Sequence, residues 1–142
     1  MTASTLLLVD DDGAARRVAG LALTHVGGWQ VEAVSSGPAA IEAIAGGVLP
    51  DVVLLDLIMP EMNGYEVLRQ LRRDPRTSEV PVIFFTGQRW AQERPPPTEL
   101  GVAGVIAKPF DPMRLPVQVR RLLTDRAPPP ARPDTVEVTG TG

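Results

Sequence analysis

Short apolar segments alternate with segments of helical periodicity along this 142-residue sequence, and the alternation limits the folds open to it. The first apolar segment, Leu-Leu-Leu-Val at residues 6–9, ends abruptly in three consecutive aspartates. A short continuous apolar run bounded by polar residues is typical of a fully buried strand. The other predicted strands lie at residues 30–34, 51–55, 81–85 and 104–107.

Helical spacing of apolar residues separates these strands. The predicted helices run from Gly13 to His25, from Ser36 to a stop at Gly46, from a cap at Asn63 through Leu71, and from Asp111 and Pro112 through Leu123. The last start is predicted because proline is favoured at the first helical position after a cap. Helices that alternate with nearly continuous apolar strands predict one α/β domain, a parallel sheet covered on both faces.

Polar side chains follow four of the predicted strands. Right-handed crossovers bring the carboxyl ends of parallel strands to one edge of the sheet, where ligands bind, so these side chains are predicted to meet. They are Asp10, Asp11 and Asp12 after the first strand, Asp56 after the third, Thr86 after the fourth and Lys108 after the fifth. Lys108 is the only lysine among 14 basic residues, which indicates a position that needs a compact ammonium.

The composition excludes several classes of site and partner. The sequence has no cysteine and one histidine, which removes disulfides, thiol catalysis and histidine-based metal sites. The net charge of −3 gives no basic field for nucleic acid. No apolar run is long enough to span a membrane and no secretory signal is evident, so we expect a cytoplasmic protein without nucleic-acid or membrane partners. Four arginines of the third predicted helix are interpreted as a solvated face: Arg69, Arg72, Arg73 and Arg76.

Clustered carboxylates repel one another unless a cation compensates them. With oxygen ligands and neither thiolate nor imidazole, the expected ion is Mg²⁺, for which Mn²⁺ or Ca²⁺ can substitute. A carboxylate beside bound Mg²⁺ can attack a phosphoryl group and form an aspartyl phosphate. The lysine ammonium and the threonine hydroxyl at the same edge are suitable donors to that group. The sequence therefore indicates Mg²⁺-dependent phosphoryl chemistry.

Four motifs follow one another along the chain. They are LVDDD at residues 8–12 with RR at 16–17, DLIMPEMNG at 56–64, FTG at 85–87 and AKPF at 107–110. In this order and spacing they resemble the receiver domain of two-component response regulators, over about residues 5–125. The resemblance implies a flavodoxin-like (βα)5 fold with strand order 2-1-3-4-5. It also implies a histidine kinase or phosphotransfer protein as phosphodonor and a downstream target protein.

The same resemblance assigns metal ligands. Asp56 is the expected phosphoacceptor, and it shares the ion with Asp11, which is expected to bind Mg²⁺ directly. Asp10 is expected to support the ion through water. The backbone carbonyl of Ile58 is a further expected ligand, so the implied metal set is Asp10, Asp11, Asp56 and Ile58.

Two more side chains are expected to contact the phosphoryl group. By resemblance, Lys108 pairs with a phosphoryl oxygen, and Thr86 moves its hydroxyl onto the group and reports its presence. The bond between Lys108 and Pro109 is the position of the family's cis peptide. The domain is thus expected to catalyse its own phosphorylation from phosphohistidine and its own dephosphorylation, without multiple turnover.

Three features depart from the family's pattern. Val105 stands where receivers often carry an aromatic residue coupled to the movement of the threonine, and a valine cannot swing in the same way. Prolines at 95–97 predict that the fourth of the five helices is short or irregular. Ile58 and Gln88 occupy positions that influence hydrolysis of the aspartyl phosphate, and the apolar Ile58 predicts slow self-hydrolysis.

The sequence leaves the domain context and two alternative functions open. A receiver domain is expected at residues 1–126 and a proline-rich, disordered tail at 127–142, in a stand-alone regulator or a piece of a longer protein. One alternative function is a receiver-like interaction module that does not switch. The other is a haloacid-dehalogenase-type phosphohydrolase, since residues 10–12 resemble its Asp-x-Asp opening, although Ala14 departs from it. No oligomeric state is predicted.

Overall fold

The fold is a parallel sheet between two layers of helices, seen in a computed structural model that describes residues 4–89 and 100–125. Its elements are β1 (Thr5–Val9), α1 (Gly13–His25), β2 (Gln30–Val34), α2 (Gly37–Ala45), β3 (Val52–Leu55), α3 (Gly64–Arg73), β4 (Val82–Thr86), β5 (Val102–Ala107) and α4 (Leu115–Asp125). The strands are parallel and lie in the order β2-β1-β3-β4-β5. The predicted α/β class and strand order are confirmed.

Two predictions fall on residues outside the described ranges. The short or irregular fourth helix is expected around the prolines at 95–97, which fall within residues 90–99, outside the described ranges, so α4 is the helix that follows β5. The proline-rich tail expected at residues 127–142 also lies outside the described ranges. No helix in the part of the chain that the structure covers has the length and apolar content needed to cross a membrane.

Alternate residues of the central strands pack on opposite sides of the sheet. One hydrophobic cluster holds Leu7 and Val9 of β1 together with buried residues of α2 and α3. The other holds Leu6 and Leu8 together with buried residues of α1 and α4. All four side chains are completely buried, and each contributes about 1.5–3 kcal/mol to stability by the area it removes from water. Burial on both faces explains why residues 6–9 of β1 and all residues of β3 are apolar.

The ends of the two central strands lie side by side. Val9 of β1 pairs with Leu55 of β3, and the backbone N–H of Asp56 donates to the Val9 carbonyl at 3.0 Å. The next residue of β1 is Asp10, whose N–H donates to the carbonyl of Val34 in β2 at 3.1 Å. The register of the sheet therefore brings Asp10 and Asp56 to neighbouring positions at one edge.

The helices near this edge begin at side-chain caps. Asp12 caps α1, because its carboxylate accepts from the N–H groups of Ala14 at 3.0 Å and Ala15 at 3.3 Å. Asn63 caps α3 and exchanges hydrogen bonds with Glu66, each backbone N–H donating to the other side chain. Such caps satisfy backbone donors that lack partners in the first turn of a helix.

The last helix begins later than predicted. The prediction placed its cap at Asp111 and its first residue at Pro112, but α4 starts at Leu115. The Asp111 carboxylate accepts from the N–H of Met113 at 2.9 Å, which closes a turn before the helix. Pro116 then occupies the second helical position, where a missing N–H costs nothing. Similarly, β5 begins at Val102, two residues before the predicted Gly104.

Two of the four arginines interpreted as a solvated face have other contacts. Arg72 donates to the carbonyls of Leu100 at 2.6 Å, Thr77 at 2.9 Å and Gly101 at 3.2 Å. Arg76 pairs with Asp74 and donates to the carbonyl of Ile44. The interpretation is wrong for Arg72, which is half-buried because the loop after α3 and the residues before β5 return carbonyl oxygens to the helix end. Arg76 is exposed, as the interpretation has it.

Candidate functional site

Three carboxylates meet at the carboxyl edge of the sheet. One oxygen from each of Asp10, Asp11 and Asp56 lies within 4.8 Å of the others. Asp10 is completely buried, Asp56 is nearly so, and Asp11 is exposed at the mouth of the site. The sheet register sets the first two positions, and the turn from β1 into α1 sets the third. The structure thus brings together three of the four acidic residues that the sequence predicted to meet, while the Asp12 carboxylate caps α1 instead.

A single ammonium lies among these carboxylates. Lys108 Nζ is 2.6 Å from Asp10 Oδ2 and 3.3 Å from Asp56 Oδ2. It also lies 4.9 Å above the centre of the Phe85 ring, an arrangement that favours a cation. The Lys108–Pro109 peptide is cis, as predicted. A residue at the end of β5 therefore reaches the ends of β1 and β3.

Burial and neighbouring charges shift the pKa values of Asp56 and Lys108. Burial raises the pKa of Asp56, and the Asp10 carboxylate raises it further, while Lys108 and the Ile58 N–H oppose them; the net pKa is above the ordinary value. Burial lowers the pKa of Lys108, but the carboxylates of Asp10 and Asp56 outweigh it and leave this pKa raised. The lysine is therefore charged at neutral pH, and a negative charge on Asp56 is costly without further compensation.

The donor set fits a hard divalent cation. Three carboxylates and one ammonium leave a formal charge of −2 among these four side chains. Asp10 Oδ2 is buried and makes no aligned hydrogen bond, although it touches the lysine. Oxygen ligands and excess negative charge suit Mg²⁺, which uses one or two carboxylates and keeps several waters. Asp10, Asp11 and Asp56 are the side chains that could hold it.

Ile58 follows Asp56 by two residues in the loop between β3 and α3. Its N–H donates to Asp56 Oδ1 at 3.3 Å, and its side chain is 52% exposed. The hydrogen bond holds the acceptor carboxylate against its own loop. Ligation of a metal by the Ile58 carbonyl stays a prediction from the resemblance.

Thr86 is the last residue of β4 and is buried. Its hydroxyl oxygen accepts from the N–H of Gln88 at 3.1 Å, and its carbonyl accepts from the N–H of Lys108 at 2.9 Å. The threonine and the lysine therefore sit on adjacent strand ends, at the same edge as the carboxylates.

The loop between β3 and α3 begins at Asp56, the expected phosphoacceptor, and is called the acceptor loop below. It is packed tightly at Gly64. The N–H of Gly64 donates to the Leu57 carbonyl at 2.8 Å, which closes the loop at the start of α3. A Cβ on this glycine would stand 2.6 Å from the Asp56 carbonyl oxygen and 2.9 Å from the Leu57 Cα. Within the same loop, Glu61 has a φ of 68°, which L-residues other than asparagine and aspartate rarely adopt. The backbone at the acceptor therefore has little room to move.

Replacing Asp56 by Asn is expected to stabilise the folded domain in metal-free buffer at pH 7. The pKa of Asp56 is raised in the folded state, so the folded form binds its proton more tightly than the unfolded form and stability rises as pH falls through the folded pKa. Asp56→Asn removes the buried charge, and we expect a gain of about 1 kcal/mol that shrinks as the pH approaches 4. Thermal unfolding with EDTA measures it. An unchanged or lower melting temperature would contradict the electrostatic account.

Two residues near the site were not assigned a role from the sequence. Asp12 donates its N–H to Asp10 Oδ1 at 2.9 Å and caps α1 with its carboxylate. Arg16 donates from Nη1 to the backbone carbonyl of Asp10 at 2.8 Å. The cap could have been found from an aspartate directly before a helical segment. The arginine contact depends on the path of the turn, which no spacing indicates.

Comparisons of sequence identify the family of the chain. The profile of the response regulator receiver domain matches residues 6–120. A probable cyclic di-GMP phosphodiesterase of Vibrio cholerae is 40% identical over 74% of this chain and 23% of its own length. The DNA-binding dual master transcriptional regulator RpaA of Synechocystis is 33% identical over 89% of this chain and 53% of its own length. The chain thus spans about a quarter of the first relative and about half of the second.

Solved structures share the fold across nearly the whole of their own chains. A putative response regulator of Chloroflexus aurantiacus has a TM-score of 0.74 and 31% identity, over 87% of this chain and 99% of that one. The receiver domain of sensor histidine kinase PA1611 of Pseudomonas aeruginosa has a TM-score of 0.73 and 26% identity, over 87% and 100%. That structure holds a magnesium ion coordinated in its active-site cleft. With the family profile matching residues 6–120 and an acidic edge built as described, the chain belongs to the response regulator receiver domain family of two-component systems.

Proposed function

We propose that the domain accepts a phosphoryl group onto Asp56 in a Mg²⁺-dependent reaction, from a histidine kinase or a phosphotransfer protein, and passes the signal to a downstream protein in the cytoplasm. The observation that supports this most strongly is the convergence of Asp10, Asp11, Asp56 and Lys108 at one edge of the sheet. Family membership supplies the reaction class, and the residue roles are those expected from the motifs.

In the proposed transfer, an Asp56 carboxylate oxygen attacks phosphorus while the bond from phosphorus to the donor imidazole nitrogen breaks. The leaving nitrogen keeps the electron pair, and the product is a mixed anhydride on Asp56. Bound Mg²⁺, held by Asp10, Asp11 and Asp56 with the proposed Ile58 carbonyl, would neutralise charge on the carboxylates and the phosphoryl oxygens. Lys108, already 3.3 Å from Asp56 Oδ2, would supply a further positive charge to the phosphoryl group.

Incubation with Mg²⁺ and a small acyl-phosphate donor tests the proposal. We expect intact mass to increase by one phosphoryl group, and Asp56→Asn or EDTA to abolish the increase. The matched control is Asp51→Asn, because Asp51 lies just before β3 and Asp56 just after it, so Asp51 belongs to the opposite edge of the sheet. This control is expected to be phosphorylated like the unaltered chain. Absence of phosphorylation, together with no binding of beryllofluoride in the presence of Mg²⁺, would overturn the proposal.

Slow hydrolysis of the aspartyl phosphate is expected from the side chain of Ile58. This side chain is 52% exposed next to the acceptor and offers no hydrogen bond to an attacking water. Ile58→Asn is expected to shorten the lifetime severalfold, measured by the decay of the phosphorylated mass after donor removal. Val117→Asn on α4, with a side chain of similar exposure, is the control and should not change it. A lifetime of only seconds in the unaltered chain would contradict the prediction.

A receiver-like module that does not switch is the second candidate function, and Val105 is the observation that favours it. This residue of β5 is partly buried and packs in the same cluster as Phe84 and Tyr65, whose rings lie 5.3 Å apart. A valine in this position has no ring to exchange between buried and exposed states. Amide hydrogen exchange with and without beryllofluoride and Mg²⁺ separates the candidates, since a working switch should alter protection in β4, β5 and α4.

The phosphohydrolase alternative has less support from the site. That reading needs the third aspartate of the first motif as an acid and base, but the Asp12 carboxylate accepts from two backbone N–H groups at the start of α1. Multiple turnover of a phosphate ester by the purified chain would support the alternative.

A further inference from the structure

Arg16 occupies a position that helix stability does not explain. It lies in the fourth position of α1, and the first turn of this helix contains no acidic residue. A cation near the N-terminal end of a helix is unfavourable, because the aligned peptide dipoles place positive charge there. Some interaction outside the helix must therefore favour the arginine.

The interaction is a hydrogen bond to the end of β1. Arg16 Nη1 donates to the carbonyl oxygen of Asp10 at 2.8 Å, and the side chain is half-buried as it reaches back across the turn. This carbonyl is the first after the paired residues of β1, whose last partners are Val34 and Leu55. Since an unpaired buried carbonyl is costly, the guanidinium supplies the partner that the sheet no longer provides.

The Asp10 carbonyl belongs to the peptide that leads into Asp11. Fixing this peptide fixes the direction in which the Asp11 side chain leaves the backbone. Within residues 4–89 and 100–125, the Asp11 carboxylate has no hydrogen bond or ion pair of its own, although it lies within the acidic cluster. Its position therefore depends on the backbone of the turn, whereas Asp10 is also held by the Asp12 N–H and by Lys108.

We propose that Arg16 is a positioning residue for the metal site: its hydrogen bond to the Asp10 carbonyl places the Asp11 carboxylate where it can bind the divalent cation. The inference rests on the proposed function, because it assumes that the acidic cluster binds Mg²⁺. Residues that orient metal ligands commonly change metal affinity by about 10-fold or more when they are removed.

Charge and position have opposite effects at this site, which makes the proposal testable. Removing a cation close to three carboxylates would by itself strengthen binding of a divalent cation. Loss of the hydrogen bond would weaken it. Arg16→Met, which removes both the charge and the donors, is expected to lower metal affinity about 10-fold. Arg17→Met is the matched control, since Arg17 is the adjacent exposed arginine, and its affinity should be equal or higher.

Binding is measured with Mn²⁺, which accepts the same oxygen ligands, by counting free ion from its electron paramagnetic resonance signal. The full chain is used in Mg²⁺-free buffer, well below its unfolding temperature. A purely structural role would lower the melting temperature of Arg16→Met with EDTA and leave Mn²⁺ affinity unchanged, and that result would overturn the proposal. Affinity higher than that of the unaltered chain would overturn it too, as a charge effect alone.

Two further variants keep the outcomes distinct. Asp11→Asn is expected to lose most Mn²⁺ binding; if the unaltered chain itself binds no Mn²⁺, the proposed function fails together with this inference. If the unaltered chain binds and Asp11→Asn does not, while Arg16→Met binds as tightly as Arg17→Met, only the inference on Arg16 fails. Should Arg16→Met not fold, Arg16→Lys is compared with Arg17→Lys; we expect weaker binding by the former, and equal affinities would overturn the proposal.

Discussion

Replacing Gly64 by Ala is expected to destabilise the domain by about 2–4 kcal/mol, a loss of roughly 10 °C in melting temperature. The added methyl group would lie 2.6 Å from the Asp56 carbonyl oxygen and 2.9 Å from the Leu57 Cα. Both are backbone atoms, which cannot turn aside as a flexible side chain can. The strand end that carries the acceptor must therefore shift, and we expect phosphorylation by an acyl phosphate to fall with stability.

Gly20→Ala is the matched control for this substitution. Gly20 lies inside α1, and a Cβ there would meet no atom within 4 Å. Alanine in a helix interior is more favourable than glycine by about 0.5–1 kcal/mol, so this variant should be more stable than the unaltered chain. Urea unfolding of both variants measures the two effects. Equal stability of Gly64→Ala and the unaltered chain would show that the acceptor loop is not packed as described.

Replacing Lys108 by Met is expected to destabilise the metal-free domain by about 2–3 kcal/mol at pH 7.5. The change leaves the buried Asp10 and Asp56 carboxylates next to one another without the ammonium that contacts both. The expected destabilisation is smaller than that for a fully buried ion pair because the lysine side chain is 18% exposed. We expect addition of Mg²⁺ to restore part of the lost stability, since the ion supplies the missing positive charge.

The stability lost in Lys108→Met should depend on pH because the pKa values of Lys108 and Asp56 are both raised. The lysine, with a raised pKa, stays charged in the unaltered chain from pH 5 to 8, so its own titration contributes no slope there. In the variant, the pKa of Asp56 rises further because the lysine no longer opposes burial. The loss should therefore shrink as the pH falls from 7.5 to 5. Arg121→Met, which removes an exposed cation of α4, should show a small and flat effect. A pH-independent loss in Lys108→Met would contradict the account.

The fold and the meeting point of the site residues could be predicted from local patterns. The run before Asp10 and the run before Asp56 are apolar at every position because both strands are buried on two faces. Parallel strands with right-handed crossovers then fix the edge at which Asp10, Asp56 and Lys108 meet. The chemistry of the site could be predicted because its residues lie at the ends of strands, and the positions of these ends depend on the strands alone.

The start of α4 and the contacts of Arg16 and Arg72 could not be predicted in this way. An aspartate followed by proline is a good helix start by local preference, but Asp111 closes a turn and Leu115 begins the helix. Arg72 has the spacing of an exposed helical residue, yet its guanidinium donates to the Thr77 carbonyl in the next loop and to the carbonyls of Leu100 and Gly101 just before β5. Such partners depend on where the backbone of other segments passes, which is information that the local sequence does not contain.

The strand order divides the residues of the site edge between two pairs of neighbouring strands. Asp10 and Asp11 follow β1 and Asp56 follows β3, and these strands occupy neighbouring places in the interior of the sheet. Thr86 ends β4 and Lys108 follows β5, and these two strands lie together on one side of the sheet. Lys108 contacts the Asp10 and Asp56 carboxylates from the end of β5, two places beyond β3, so the separation of the charges in the site depends on the spacing of β3, β4 and β5.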